Sequence, residues 1–244
     1  MAANALILGC GHSGTSIFGE LFASFPGFRY FSEPLLSDLV GIVGDGPVAA
    51  KVPRQAESAS PPSGCSVELA DVVAVLAGRL VVFWQVRHPL DAVCSLRVGI
   101  AQGWAHHPRP LDWRDWQHRP LIERCAHHWA VINGDGFEQA SRGVVVNRFE
   151  DMIADPLGCG GKAARAVGLE VSDLGDDFAS WVERVQDTNN ERFVEAETSR
   201  RHSRADHSRR VGRWEENLTT AEVESIVPLV STAAHRFGYE LPLP

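Results

Sequence analysis

The first 25 residues carry the pattern that most restricts what this chain can fold into. Residues 5–8 are an apolar run with the character of a buried strand, and the loop behind it holds Gly9, Gly11 and Gly14. Apolar side chains then recur at helical spacing at Ile17, Phe18, Leu21 and Phe22. A strand, a glycine loop and a helix in this order bind an anion, most often a phosphate, because backbone N–H groups and the positive end of the helix dipole face the loop.

Three interpretations compete for this glycine loop. Residues 9–14, GCGHSG, match the G-x-G-x-x-G fingerprint of dinucleotide-binding folds, and Glu33 lies close to the acidic position expected about 20 residues further on. The loop departs from the G-x-x-x-x-G-K-[ST] motif of nucleoside triphosphatases, because Thr15 occupies the place of the lysine. The third interpretation takes residues 12–16, HSGTS, as a loop that holds the phosphosulfate end of a sulfated nucleotide. The loop alone does not choose between the first and the third.

Length and charge bound the class of protein. At 244 residues the chain fits one α/β domain with a sizeable core. Its 31 acidic residues outnumber its 23 lysines and arginines, so the composition lacks the broad basic surface typical of proteins that bind nucleic acid or anionic membranes. The N-terminus enters a strand at once, and the longest apolar runs are too short to span a membrane. These features predict a cytoplasmic protein without a membrane span.

The cysteines indicate neither disulfides nor a metal site. They are odd in number, far apart in the sequence and without metal-ligand spacing: Cys10, Cys65, Cys94, Cys125 and Cys159. We expect reduced, structural thiols. His127 and His128 belong to a predicted helix and are expected to pack or lie at the surface rather than to ligate a metal.

Apolar runs and helical periodicities alternate along the chain. Strands are predicted at 28–31, 80–86 and 144–149, and helices at 67–77, 120–140, 157–167, 178–185 and 219–237; residues 48–51 are a brief apolar run. This alternation predicts a three-layer α/β fold with a central, mostly parallel sheet and helices on both faces. The run from 80 to 86 is apolar throughout and rich in β-branched and aromatic residues, as is typical of a central parallel strand.

Polar residues follow the predicted strands where ligands collect in open α/β sheets. Glu33 ends the second strand and faces the same crevice as the glycine loop, although it could equally be a helix-capping carboxylate before Pro34. Arg87 leaves the strand 80–86, and Ser95 lies about two helical turns further along, so both can point into that crevice.

Two further segments have unusual compositions. Residues 102–118 are dense in tryptophan, histidine, proline and arginine, which favours a substrate-facing lid. The alternative is a loop whose tryptophans cover the core, and it has at least equal weight. Residues 187–213 are polar and arginine-rich, with RHSRADHSRR at 201–210. A phosphate clamp and an ordinary solvated loop both remain open for this second segment.

Taken in order, six motifs resemble the sulfotransferase family that uses 3′-phosphoadenosine 5′-phosphosulfate (PAPS). They are GHSGTS, SEP, KVP, RHPLDAVCS, RFEDMIADP and VGRW, and the resemblance spans residues 6–218. The resemblance implies a P-loop NTPase-like sulfotransferase fold, formed by residues 1–244 as a single domain. It implies a strand and helix for the phosphosulfate at 4–25, a substrate lid at 102–118 and a cofactor-covering loop at 187–213. PAPS would be the cosubstrate and adenosine 3′,5′-bisphosphate (PAP) the product, without a metal.

The resemblance assigns roles to individual positions. It implies that the 5′-phosphosulfate is held by the loop residues Gly11, His12, Ser13, Gly14, Thr15 and Ser16. Arg87 and Ser95 would hold the 3′-phosphate, Arg209 and Arg210 would complete that clamp, and Phe149 would lie near the adenine. Family members tend to have lysine or arginine at the position of His12, so this chain departs from the family where the charge of the transferring group is handled.

Sulfuryl transfer to a hydroxyl requires a general base and donors to the developing charge. We assign the base to Glu33, the sulfuryl contact to His12 and a possible contact to the leaving oxygen to Lys51. Carbohydrate sulfotransferases resemble this arrangement with a glutamate base, and no histidine follows the KVP run, so a carbohydrate or other small-molecule hydroxyl is the favoured acceptor. Two alternatives are an NAD(P)-dependent oxidoreductase with Glu33 on the ribose and a nucleotide-binding relative without catalysis.

Overall fold

Five parallel strands form the central sheet of the computed structural model, which describes residues 2–42, 44, 46–51, 69–76, 78–106, 109–140, 143–185 and 211–242. The strands are β1 (Asn4–Gly9), β2 (Arg29–Ser32), β3 (Val48–Lys51), β4 (Leu80–Val86) and β5 (Val144–Arg148). Their spatial order is β2-β3-β1-β4-β5. β1 therefore lies in the middle, where Ile7 is aligned with Lys51 of β3 on one side and Phe83 of β4 on the other.

Helices cover both faces of this sheet. They are α1 (Thr15–Ala23), α2 (Leu36–Ile42), α3 (Leu69–Val75), α4 (Pro89–Ala101), α5 (Leu121–Val131), α6 (Phe137–Ala140), α7 (Phe149–Ala154), α8 (Pro156–Val167), α9 (Asp176–Val185), α10 (Trp214–Asn217) and α11 (Thr220–Arg236). Alternate residues of β1 point to opposite faces: Leu6 and Leu8 belong to one core, and Ala5 and Ile7 to the other. The first core is shared with α4, α5 and α11 and the second with α1, α8 and α9, which confirms the predicted three layers.

The strand order separates two of the interpretations of the glycine loop. In the dinucleotide-binding fold the second strand lies beside the first, in the order 3-2-1-4-5-6. Here β3 occupies that place and β2 is at the edge of the sheet. The connections therefore do not support the dinucleotide interpretation.

Several element boundaries differ from the sequence-based predictions, and three of these differences affect the strands and the long helix. The second strand is shifted by one residue, to Arg29–Ser32, and β5 ends at Arg148 so that Phe149 begins α7. The helix predicted as continuous from 120 to 140 is interrupted by a π-helical turn at Ile132–Gly136, which contains two glycines. Periodicity alone did not reveal this turn, because Ile122, Cys125, Trp129 and Ile132 are all buried as predicted.

The predictions on thiols, metals and membranes can be compared with the described residues. Cys10, Cys94 and Cys125 are buried there and are not in disulfides, and burial raises the pKa of Cys94 to about 11 and that of Cys125 to about 12. The described residues contain no cluster of three or more potential metal ligands. None of their helices has the length and hydropathy that a bilayer crossing requires.

Candidate active site

The glycine loop joins the end of β1 to the start of α1 at the centre of the sheet edge. Gly14 is the N-terminal cap of α1 and has a φ of +84°, and a Cβ there would overlap the ring of Phe149. His12 also adopts a left-handed backbone, with a φ of +62°, which is uncommon for a residue with a side chain. The Ser13 hydroxyl is buried and has no hydrogen-bond partner among the described residues. Such a buried donor requires a partner, and a bound ligand or a water molecule can supply it.

Lys51 connects the start of α1 to Glu33. Its side chain is buried at the end of β3, and its Nζ atom donates to Ser16 Oγ at 2.9 Å and to Glu33 Oε1 at 2.6 Å. The Glu33 side chain is 36% exposed and its φ is +52°. Because β3 lies between β1 and β2, the ends of both neighbouring elements reach the Lys51 ammonium group. The structure therefore brings together Ser16, Lys51 and Glu33, as the shared-crevice prediction requires.

Arg87 ties the end of β4 to the same loop. It is 5% exposed, its terminal nitrogen donates to the backbone carbonyl of His12 at 3.2 Å, and its guanidinium lies 4.6 Å from the centroid of the Phe149 ring. The Phe149 ring is 2% exposed, packed under the loop at Gly14. Its predicted contact with an adenine stays a prediction, and its observed role is to support the loop and Arg87.

Ser95 meets an arginine that the sequence analysis did not single out. Arg213, 3% exposed, donates from a terminal nitrogen to Ser95 Oγ at 3.0 Å. Asp91 holds this arginine in place, because its two carboxylate oxygens accept the backbone N–H groups of Gly212 at 2.8 Å and Trp214 at 3.0 Å. Asp91 and Ser95 are four residues apart on α4 and so lie on one face of the helix. That face is the docking surface for residues 212–214.

The start of α4 is fixed by groups from α7 and the C-terminal region. The backbone N–H of His88 donates to Glu150 Oε1 at 2.7 Å, and the Tyr239 hydroxyl donates to Glu150 Oε2 at 2.8 Å. Burial and then the charge of Glu150 raise the pKa of Tyr239 above its ordinary value, so this hydroxyl stays protonated and donating. These contacts determine where Arg87, the residue before His88, leaves β4.

Residues 102–106 bring a second histidine to the glycine loop. The ring of His106 stands at 90° to the ring of His12 with 4.8 Å between centroids. A Cβ on Gly99 of α4 would overlap the His106 ring, and Gly11 of the loop lies beside it. Further inside, the Trp104 indole N–H donates to Nδ1 of His128 at 3.1 Å. Since an indole can only donate, this His128 nitrogen is unprotonated.

The predicted lid therefore also covers the core. Trp104 is fully buried, and Trp113 and Trp116 pack against the first core, as the alternative interpretation of this segment expected. His128 is buried and His127 stacks on Trp116 with 3.9 Å between ring centroids, which agrees with packing roles. A role of residues 102–118 as a substrate lid remains a prediction.

The structure brings most of the predicted site residues to one edge of the sheet. The loop and the start of α1 are formed by Gly11, His12, Gly14 and the buried Ser13, Thr15 and Ser16. Lys51 and Arg87 contact them directly, and Glu33 is connected to them through its ion pair with Lys51. Arg209 and Arg210 lie outside the described residues. Sequence reasoning missed Asp91, His106 and Arg213. Of these, Arg213 had a usable signal, because it is part of the VGRW motif.

Comparisons with known proteins agree with this geometry. No family model and no curated protein matches the chain. Among solved structures, the sulfotransferase domain from the Synechococcus PCC 7002 olefin synthase is 14% identical, with a TM-score of 0.62 over 98% of this chain and 96% of that one. The sulfotransferase domain from the curacin biosynthetic pathway is 12% identical, with a TM-score of 0.63 over 99% of both chains. Mouse sulfotransferase SULT7A1 complexed with PAP is 14% identical, with a TM-score of 0.54 over 97% of this chain and 86% of that one.

These similarities extend over nearly the whole chain, whereas the sequence motifs are short and separated. At 12–14% identity they establish the architecture and not the reaction. One known architecture accounts for the parallel sheet, the glycine loop at the end of β1 and the helices on both faces. The chain has the P-loop-like sulfotransferase fold.

Proposed function

We propose that this protein is a sulfotransferase that moves the sulfuryl group of PAPS to a hydroxyl of a small-molecule or carbohydrate acceptor. The main support for the proposal is that two sites rich in positive charge or hydrogen-bond donors lie at the same edge of the sheet. One is the loop at the start of α1, and the other is formed by Arg87, Ser95 and Arg213. Arg87 joins them through its bond to the His12 carbonyl. A nucleotide with anionic groups at both its 5′ and 3′ positions fits two such sites.

The residues present fit such a cosubstrate. The unpartnered Ser13 hydroxyl and the amides at the start of α1 suit the 5′-phosphosulfate. The guanidinium groups of Arg87 and Arg213, with the Ser95 hydroxyl, suit the dianionic 3′-phosphate, because arginine presents a planar fork of donors to phosphate oxygens. The mouse sulfotransferase with the same architecture is complexed with PAP, which agrees with this assignment.

In the proposed reaction the acceptor oxygen attacks sulfur in line with the bond that breaks. The new bond joins that oxygen to sulfur, the bond from sulfur to the 5′-phosphate oxygen breaks, and PAP leaves with the electron pair. Glu33 takes the proton from the hydroxyl as it attacks. His12 donates to the sulfuryl or bridging oxygen, and Lys51 contributes positive charge beside Ser16. The carboxylate is oriented for this task by its ion pair with Lys51.

Incubation with PAPS labelled in the sulfuryl group, together with a panel of sugars and aliphatic alcohols, tests the proposal. We expect a labelled product and stabilisation of the fold by PAP but not by NAD. Stabilisation by NAD alone would overturn the proposal in favour of an oxidoreductase. Binding of PAP without transfer to any acceptor, and without slow hydrolysis of PAPS, would overturn the catalytic part and leave a nucleotide-binding relative.

A further inference from the structure

In the segment that follows His106, residues 109–119, two arginines lie against the ring of one tryptophan. The guanidinium carbons of Arg109 and Arg114 lie 4.6 and 4.9 Å from the centroid of the Trp113 ring. Trp113 is anchored in turn, because it packs edge-on against the fully buried Trp104 with 6.3 Å between ring centroids. The Nε atom of Arg109 also donates to the carbonyl of Trp104 at 2.8 Å. The two cations are therefore held by the packing of the segment.

Neither of these guanidinium groups has an acidic partner. Within the described residues, no carboxylate oxygen lies within 4.0 Å of Arg109 or Arg114, and the terminal nitrogens of both have no protein hydrogen-bond acceptor. Two acids lie beside these arginines in the sequence: Asp112, which accepts from Trp116 and His127, and Asp115, which is exposed. Burial and then the charge of Arg114 lower the pKa of Arg109. Two like charges are thus held close together without an ion-paired carboxylate among the described residues.

This arginine pair lies close to the proposed reaction centre. Three residues separate Arg109 from His106, so their Cα atoms are at most about 11 Å apart. The His106 ring contacts the ring of His12 in the phosphosulfate loop. The phosphates of the nucleotide have their own donors in that loop and at Arg87, Ser95 and Arg213. We therefore consider the acceptor, the other substrate of the proposed reaction, as the ligand of Arg109 and Arg114.

We propose that Arg109 and Arg114 bind an anionic group of the acceptor, a carboxylate or a phosphate, while its hydroxyl lies at His12 and Glu33. This inference rests on the proposed function and narrows the acceptor to hydroxy compounds that carry negative charge some distance from the hydroxyl. The guanidinium forks supply several N–H donors to carboxylate or phosphate oxygens.

The matched control is Arg119. It belongs to the same segment and lies 5.7 Å from the Trp116 ring centroid, but it is 3.7 Å from a carboxylate oxygen of Glu123. Arg119→Gln therefore removes one positive charge from the segment without touching the proposed anion site. Arg109→Gln and Arg114→Gln remove the same charge at the site.

The test uses the whole protein, labelled with ¹⁵N-tryptophan and saturated with PAP, so that the nucleotide sites are filled. The indole N–H signal of Trp113, assigned with Trp113→Phe, is followed during titration with 8-hydroxyoctanoate or its methyl ester, and with glucose 6-phosphate or glucose. We expect a saturable shift with at least one of the anionic probes and none with its neutral counterpart. Arg109→Gln and Arg114→Gln should each weaken that affinity about tenfold, and Arg119→Gln should not change it.

Three results would overturn the anion site: no saturable shift with either anion, an equal shift with the neutral probes, or an affinity unchanged by both Arg109→Gln and Arg114→Gln. A failure of the proposed function itself looks different in the same samples. In that case PAP neither shifts signals nor raises the melting temperature before any acceptor probe is added.

Discussion

Glu33 and Lys51 are joined twice. The backbone N–H of Glu33 donates to the Lys51 carbonyl at 2.9 Å, and the Lys51 ammonium donates to the Glu33 carboxylate at 2.6 Å. The first contact aligns the ends of β2 and β3, and the second points the carboxylate toward the start of α1, where Ser16 shares the same ammonium group. The position of the proposed general base is therefore determined by the sheet and not by the rotamer of a surface side chain.

Glu33→Gln should lower turnover by about 10²- to 10⁴-fold, because the amide keeps the shape of the carboxylate and loses its basicity. The affinity for PAP should stay within about threefold, since the loop, Arg87 and Arg213 are unchanged. Single-turnover sulfuryl transfer and calorimetric titration with PAP measure the two quantities. Glu138→Gln is the control, because Glu138 is paired with Arg236 at 2.6 Å. Loss of nucleotide binding with normal acceptor kinetics would instead make Glu33 a ribose ligand.

His12→Ala should slow sulfuryl transfer by about 10²-fold, the usual effect of removing one donor to the developing charge. PAP lacks the sulfuryl group, so its affinity should change much less. His12→Arg should restore part of the rate because it returns a cationic donor to the loop. His127→Ala, on a histidine stacked on Trp116, serves as control. An unchanged single-turnover rate in His12→Ala would refute the role and make Lys51 the leading candidate.

Gly99→Ala should lower the free energy of unfolding of the natural chain and raise that of the His106→Ala variant. In the natural chain the new methyl group overlaps the His106 ring, and such overpacking costs about 1–3 kcal/mol of unfolding free energy. In a His106→Ala background the overlap is gone, and alanine in a helix is then more stable than glycine by about 0.5–1 kcal/mol. Urea unfolding of the natural protein, the two single variants and the double variant measures the change in unfolding free energy in each background. Destabilisation of equal size in both backgrounds would contradict the packing of His106 against Gly99.

Arg213→Gln and Arg87→Gln should each weaken PAP binding at least about tenfold while leaving AMP, which has no 3′-phosphate, almost unaffected. Stabilisation by each nucleotide, followed as the shift in melting temperature, measures this difference. The control is Arg97→Gln, which lies on α4 near Ser95 but pairs with Glu222 at 3.0 Å. Equal stabilisation of the natural protein by AMP and PAP would contradict the assignment of a 3′-phosphate site to this edge of the sheet.

The start of α11 gives a pH-dependent prediction for stability. The Glu222 carboxylate accepts the backbone N–H of Thr219 at 2.8 Å, and this hydrogen bond is the main reason that the pKa of Glu222 lies below its ordinary value. A lowered pKa in the folded state adds stability above the unfolded value, and that stability is lost as the pH falls through the lowered value. Glu222→Gln should therefore cost about 0.3–1 kcal/mol at pH 7 and less at pH 3.

Urea unfolding at the two pH values checks this expectation for the capping box. Glu224→Gln is the control, because Glu224 is exposed two residues further along the same helix. A cost that is equal at pH 7 and pH 3 would mean that the Glu222 charge does not stabilise the helix start.

Local patterns predicted much of this fold and part of its site. The β1 strand, the glycine loop and α1 could be identified because strand, turn and helix preferences agree within 25 residues. Local patterns could not predict that β3, and not β2, is the neighbour of β1, because spatial strand order depends on long-range pairing. For the same reason Lys51 and Glu33 were both predicted as site residues, while their ion pair was not.

Contacts that join distant parts of the chain were the least predictable. Arg213 became a site residue only because residues 212–214 dock on the face of α4 that carries Asp91 and Ser95. His106 lies in a segment whose composition indicated function, but its place beside His12 depends on the absence of a side chain at Gly99. The VGRW motif marks Arg213, but neither the docking of residues 212–214 on α4 nor the packing of His106 on Gly99 can be predicted from local sequence.

The bonds of Asp91 also bear on the order in which the protein is made. Asp91 is 121 residues from Gly212 and 123 from Trp214 in the sequence, so its two acceptor oxygens stay without these partners until the ribosome has passed residue 214. The sheet strands, which all end by Arg148, leave the exit tunnel earlier. A stalled nascent chain that exposes residues 1–185 can thus pair its strands, but it lacks Arg213, and we expect it to ignore PAP until the last helices emerge.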